Sequence, residues 1–160
     1  MNLKVSDKAP LFEGIDDKGT HFSLQDLIGK TNIVLYFYPK DETFGCTREA
    51  CGFRDDWNKI SELAGNVIGV SSDSVESHNS FKEHYSLPFT LISDENHEIR
   101  KKYGVTGSLI QPRVTFIIDK KGIIRYILNS QLNFGKHVKD ALQTLEMLAY
   151  KASPSISELG

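Results

Sequence analysis

"NIVLYFYPKDETFGCTREAC", residues 32–51, joins an unbroken apolar run to a polar segment that holds both cysteines of the chain. Asn32 to Tyr38 is β-rich and shows no alternation, the pattern of a strand covered on both faces. Pro39 has no backbone N–H and ends it. From Thr47 to Ala64, the residues Ala50, Phe53, Trp57, Ile60 and Ala64 return at helical spacing. Gly45 and Cys46 therefore fall where a buried strand has ended and a helix begins. The unpaired N–H groups and partial positive charge of a helix start stabilise a thiolate, the reactive form of cysteine.

Working outward, "LFEGIDDKGTHFSL" (11–24) reads as a hairpin turning near Asp17-Lys18-Gly19. "NVIGVSS" (66–72) is a second buried strand. "SVESHNSFKEHY" (74–85) is a helix capped by Ser74 or Asp73. "FTLISD" (89–94) is a short strand, and "NHEIRKKYG" (96–104) a short helix closed by Gly104, with "DENHEIRKK" as an exposed face. "RVTFIID" (113–119), "KKG" and "IIRYIL" (123–128) form a second hairpin, and "HVKDALQTLEMLAYK" (137–151) an amphipathic C-terminal helix. This order predicts an α/β, thioredoxin-like fold: a mixed central sheet flanked by helices, with an N-terminal β-hairpin extension. Residues 1–152 make one domain in this reading, and 153–160 a flexible tail.

Composition narrows the function. A chain of 160 residues buries enough surface to fold without a disulfide or a metal. Net charge is −2, and the basic doublets Lys101-Lys102 and Lys120-Lys121 make no patch, so nucleic acid and anionic membrane are not expected partners. "MNLKVSDKAP" has no apolar signal-peptide core, and Ile33–Tyr38 is too short to span a bilayer, so a cytoplasmic location is expected. In a reducing compartment, paired cysteines are more often catalytic, redox-sensing or metal-binding than structural staples. A structural zinc site needs four ligands, and His21, His78, His84, His97 and His137 show no ligand spacing, so no metal is expected. They read as surface or packing histidines.

The alternative for Cys46 and Cys51 is that both are small buried hydrophobes. A thioredoxin-type C-x-x-C is absent, since four residues separate them. On an intact helix, Cys51 lies about 140° around the axis from Cys46, with Cα atoms roughly 8–9 Å apart. That exceeds the ~7 Å limit for a disulfide, so joining them requires the first turns to unwind. Gly52 lowers the cost of unwinding by about 1 kcal/mol relative to alanine. The Thr43 hydroxyl could bond the sulfur or an incoming oxygen, and Pro39 could wall off solvent. Arg113 supplies a permanent charge and a planar set of donors. It reads either as a partner of the sulfur or as one half of an ion pair, for example with Glu49. Lys40, Asp41 and Arg48 read as solvated, and Phe53, Trp57 and Phe81 as core.

"YPKDETFGC" resembles the peroxiredoxin active-site pattern P-x-x-x-T-x-x-C through Pro39, Thr43 and Cys46. Cys51 resembles the resolving cysteine of the bacterioferritin-comigratory-protein/PrxQ subfamily, and "PRVTFIID" resembles the strand carrying that family's active-site arginine, here Arg113. The likeness runs from Val5 to Tyr150. Phe44 departs from it, because many relatives carry proline there, which puts the rigidity of the loop in question.

The resemblance implies a thiol-dependent peroxidase. Cys46 would be the peroxidatic and Cys51 the resolving cysteine, with Thr43 and Arg113 catalytic and Pro39, Gly45 and Glu49 in support. Hydrogen peroxide or an alkyl hydroperoxide would be the substrate, a thioredoxin- or glutaredoxin-like protein the reductant, no cofactor would be needed, and the chain would be a monomer. Two other readings use the same fold: a dithiol–disulfide oxidoreductase, which needs neither Thr43 nor Arg113, and a non-enzymatic peroxide sensor.

Overall fold

The computed structural model of the chain describes residues 2–152, and the expected tail, 153–160, lies outside the described residues. The elements run β1 (Glu13–Asp16), β2 (His21–Ser23), β3 (Asn32–Phe37), α1 (Phe44–Asp55), α2 (Trp57–Glu62), β4 (Gly65–Ser71), α3 (Val75–Tyr85), β5 (Thr90–Ser93), α4 (Glu98–Tyr103), β6 (Val114–Ile118), β7 (Ile124–Asn129) and α5 (Phe134–Ala152). They build one sheet in the order β2-β1-β5-β4-β3-β6-β7. β3 pairs in parallel with β4 and antiparallel with β6, so the sheet is mixed. The N-terminal hairpin joins the edge of the main sheet through β1 and β5. This is the expected thioredoxin-like arrangement.

Every residue of β3 is buried, which is why its sequence shows no alternation. Its side chains divide between two cores. Ile33, Leu35 and Phe37 face Ile99 and Tyr103 of α4 together with Ala9 and Phe12 of the N-terminal segment. Val34 and Tyr36, with Tyr38 just beyond the strand, face Ala50 and Phe53 of α1, Phe81 of α3 and Ala141 and Leu145 of α5. Helices thus cover both faces, and the C-terminal end of β3 delivers the chain into the loop that precedes α1.

Four local readings need correction. The periodic stretch to Ala64 is two helices: α1 stops at Asp55, Asp56 leaves helical geometry, and α2 ends at Glu62. α1 begins at Phe44, earlier than the apolar spacing indicated, because its first turn carries no core residue before Cys46. α5 likewise starts at Phe134, three residues before His137. "DENHEIRKK" is not simply an exposed face, since Asp94, Ile99 and Arg100 are buried. The Asp94 carboxylate accepts the backbone N–H groups of Ile99 and Arg100 and so starts α4. α3 is capped by Ser74, whose side chain accepts from the N–H of Ser77.

Candidate active site

Cys46 lies in the first turn of α1 and is 1% exposed. Arg113, one residue before β6, reaches across and directs Nη2 at the Cys46 Sγ, 3.5 Å away. Its Nη1 donates to Glu49 Oε1 at 2.7 Å, and its Nε donates to the Gln131 carbonyl at 3.0 Å. The backbone N–H of Arg113 donates to Gln131 Oε1. The ring of Phe134 lies under the guanidinium, 4.9 Å from its carbon to the ring centroid. The two readings of Arg113 are therefore not exclusive: one nitrogen serves the ion pair and another faces the sulfur. Burial would lower the Arg113 pKa, but the charges of Glu49 and Cys46 outweigh it and the net shift is upward.

Glu49 is fully buried and sits one turn after Cys46 on α1. Burial raises its carboxyl to about 7 despite the opposing pull of Arg113. Its second oxygen, Oε2, has no hydrogen-bond partner. That oxygen faces His137 Nδ1 at 3.6 Å. His137 Nε2 donates to the Ser130 carbonyl, so Nδ1 is left to accept from the Thr115 hydroxyl, 2.7 Å away. Burial keeps His137 below its ordinary pKa. A carboxylate oxygen against a nitrogen lone pair gains nothing, which fits a carboxyl that holds its proton unusually long.

Gly45 is required by its neighbours. A Cβ there would lie 2.4 Å from Phe134 Cε1 and 3.0 Å from Arg113 Nη2. Gly52 is close-packed in the same way, with Val138 Cγ2 of α5 2.9 Å from where its Cβ would stand. Thr43 takes the N-cap position of α1, and its hydroxyl donates to the Lys40 carbonyl at 2.8 Å. It makes no bond to the sulfur in this state. Pro39 is half-buried at the start of the loop, while Phe44 is largely exposed, its ring edge-on to Phe134 at 6.2 Å.

Cys51 shares α1 with Cys46, and both thiols are free. Burial pushes the Cys51 thiol up, with Arg54 opposing and Asp55 adding. Cys51 and Gly52 line a groove of about 860 Å³ between α1 and α5, together with Arg48, Asp55, Phe134 and Val138.

Asp41, read as solvated, is buried instead. Its carboxylate accepts from the Tyr38 hydroxyl (2.6 Å) and Ser77 Oγ (2.9 Å) and contacts His78 Nδ1 at 2.7 Å. Its N–H donates to Asp73. His78 Nε2 donates to the Ile92 carbonyl. Burial alone would lower His78, but Asp41 outweighs it and the net shift is upward. Asp41, Asp73 and His78 present ligand-type atoms within 4.8 Å of one another, and those atoms bond each other and their neighbours. Lys40 and Arg48 are exposed, as expected, and Phe53 and Phe81 are core, with Trp57 packed against them.

Sequence reasoning brought Cys46, Glu49 and Arg113 together but missed Phe134, Gln131 and His137. An aromatic residue opening α5 was the only signal for Phe134, and the others carried none.

A buried cysteine at a helix start, faced by an arginine at the entry to the neighbouring strand of a thioredoxin-like sheet, defines the thiol-peroxidase class. The chain belongs to the AhpC/TSA family, whose model matches residues 5–127. It is 48% identical over 132 residues to a putative peroxiredoxin bcp of Coxiella burnetii, covering 78% of this chain and 87% of that one. It is 43% identical over 143 residues to the chloroplastic peroxiredoxin Q of Oryza sativa subsp. japonica, covering 88% of this chain and 65% of the rice protein. The peroxidoxin BcpB structure from Mycobacterium tuberculosis superposes with a TM-score of 0.88 at 32% identity, over 92% of this chain and 99% of that one. A Xanthomonas campestris bacterioferritin comigratory protein, studied for its alkyl peroxide reduction activity, superposes with a TM-score of 0.82 at 26% identity, over 89% of this chain and 99% of that one. Among the described residues, no helix is long and apolar enough to cross a membrane.

Proposed function

We propose that residues 1–152 reduce hydrogen peroxide and organic hydroperoxides through Cys46 and recycle through an intramolecular disulfide with Cys51. The observation that carries this reading is the Arg113 guanidinium, held by Glu49 on one nitrogen and aimed at the Cys46 sulfur with another. A thiolate at Cys46 attacks one peroxide oxygen. The O–O bond breaks, the leaving oxygen takes a proton and departs as water or an alcohol, and Cys46 becomes a sulfenic acid. Arg113 faces the charge that builds on the oxygens as that bond breaks. Thr43, at the mouth of the same turn, can re-aim its hydroxyl from Lys40 to the bound peroxide, and Pro39 and Gly45 shape the loop around it.

Cys51 then gives up its proton and its sulfur attacks the sulfenic sulfur; the S–O bond breaks, the leaving hydroxide takes that proton and departs as water, and the Cys46–Cys51 disulfide results. Because α1 runs unbroken through both cysteines, this step requires its first turns to unwind. A thioredoxin- or glutaredoxin-like dithiol supplies the two electrons that restore both thiols by exchange. The chain works as a monomer with no cofactor or metal, away from nucleic acid and membrane. A cytoplasmic setting, where such dithiol proteins stay reduced, suits the cycle.

The test is peroxide consumption with a dithiol-protein reductant, followed by mass mapping of the oxidised thiols. Multiple turnovers with a Cys46–Cys51 disulfide are expected, and Cys46→Ser should abolish them while leaving the fold intact. Near-normal turnover by that variant would remove Cys46 as the nucleophile.

A further inference from the structure

Arg100 is among the largest fully buried side chains of the described residues and has no place in the chemistry above. It lies on α4, on the sheet face away from α1, fixed there by the Asp94 cap and by Ile99 and Tyr103 in the core. Its guanidinium forms no ion pair among the described residues. Asp94 spends its carboxylate on backbone N–H groups. Instead, Arg100 donates to three carbonyls: Nη2 to Tyr38 at 2.7 Å, and Nη1 to Val105 at 2.9 Å and Pro112 at 3.1 Å. Nε has no partner, and the guanidinium carbon stands 5.6 Å from the centroid of the Phe37 ring.

Two of those carbonyls matter for their places in the chain. Tyr38 lies just beyond β3 and is followed by Pro39, in the loop leading to Cys46. Pro112 immediately precedes Arg113. One planar fork therefore ties the backbone that presents the sulfur to the backbone that presents its arginine. A buried cation without a carboxylate is costly, and neutral carbonyls offset only part of that cost. Burial lowers Arg100 to about 10, while Asp94 and the Cys46 charge act in the opposite direction.

We propose that Arg100 is a positioning residue for peroxide reduction, setting the distance between Cys46 and Arg113 through the Tyr38 and Pro112 carbonyls and lending its uncompensated charge to the Cys46 thiolate. This rests on the assignment of Cys46 as the peroxidatic thiol. It adds a second, non-contacting guanidinium to the site.

Two variants separate geometry from charge. Arg100→Met keeps the volume but removes the fork and the charge. Arg100→Lys keeps the charge but cannot span three carbonyls. Each is compared with the parent by circular dichroism and melting, by single-turnover oxidation with hydrogen peroxide, and by the pH dependence of iodoacetamide alkylation at Cys46, mapped by mass. Arg100→Met should be slower with peroxide by about ten- to a hundredfold. Its alkylation midpoint should move upward, because a nearby positive charge favours the thiolate. Arg100→Lys should keep the parent's alkylation midpoint yet remain slower with peroxide. A merely structural arginine would lower the melting temperature of both variants and leave the rate and midpoint of the folded protein unchanged, which would overturn the proposal. If Arg100→Met does not fold, Arg100→Lys decides: a folded variant oxidised at the parent's rate refutes it. Cys46→Ser serves as a control in the same assay. If oxidation of the parent does not depend on Cys46, the peroxidatic assignment fails; if it does and both Arg100 variants behave as the parent, only this inference fails.

Discussion

Gly45→Ala tests the geometry of the site with one methyl group. The new Cβ would stand 2.4 Å from Phe134 Cε1, 2.6 Å from Cζ and 3.0 Å from Arg113 Nη2. Carbon atoms settle at about 3.5 Å or more, so the Phe134 ring must retreat by about 1 Å. Arg113 lies over that ring and is itself touched by the methyl, so it moves as well. Its donor, now 3.5 Å from Sγ, leaves hydrogen-bonding range. A misplacement of about 1 Å at a catalytic group can cost about 10²-fold in rate. The overpacking itself costs about 1–3 kcal/mol, partly offset by the ~1 kcal/mol that alanine gains over glycine within a helix, so the variant should fold. Oxidation can be followed by stopped flow through the single tryptophan, Trp57, with a melting curve alongside. The expected result is a large fall in the peroxide step with a small change in melting, partly reversed when Phe134→Leu is added. A Gly45→Ala rate indistinguishable from the parent's would refute the reasoning.

Arg113→Ala should slow single-turnover oxidation by about 10²–10³-fold, a common loss for one electrostatic donor, measured by stopped flow; an unchanged rate would reduce Arg113 to a structural ion pair. Glu49→Gln should remove an inflection near pH 7 from the pH–rate profile, because the carboxyl that titrates at about 7 is gone. Its raised pKa also sets a sign for stability: the contribution is fully present below the ordinary carboxyl range and is lost as pH rises through the folded value. Glu49→Gln should therefore melt with less difference between acid and neutral pH than the parent does, as calorimetry across that range would show. Cys51→Ser should accumulate sulfenic or sulfinic Cys46 under peroxide and stop recycling unless an outside thiol resolves it, detectable by mass. In the parent, the disulfide form should show faster amide exchange between Gly45 and Arg54; a disulfide with unchanged protection there would remove the unwinding step.

The strand-to-helix junction was legible because its signals are local: an all-apolar run, a proline, then thiols at the onset of helical spacing. Arg113 was legible through the resemblance of "PRVTFIID" to the peroxiredoxin arginine strand, and Glu49 as a charge that could pair with it. Arg100 and Asp41 were not, because their partners lie far along the chain: Arg100 bonds Tyr38 and Pro112, and Asp41 bonds His78. Polar residues in short segments read as solvated when nothing nearby contradicts it. Gly52 was legible only in part. Its weak helix propensity is real, but Val138 stands 2.9 Å from where its side chain would begin. Alanine at this position would wedge α5 as well as stiffen α1, so it is not a clean probe of unwinding.

The buried knot around Asp41 has a mechanical consequence. It pins the chain just before the residue that takes a left-handed turn, Glu42, with φ 64°. Phe53, wholly buried against Tyr36 and Phe89, pins it again downstream. In the proposed cycle, the segment that melts to join Cys46 and Cys51 is therefore a short span slung between two fixed posts. Its ends stay nearly as close in the melted form as in the helix, so little loop-closure entropy is lost when it rewinds after reduction. The posts also shield the sheet from the event. Exchange protection at Ser77–Phe81 should be the same in the reduced and disulfide forms, and a loss of protection there on oxidation would mean that the upstream post gives way.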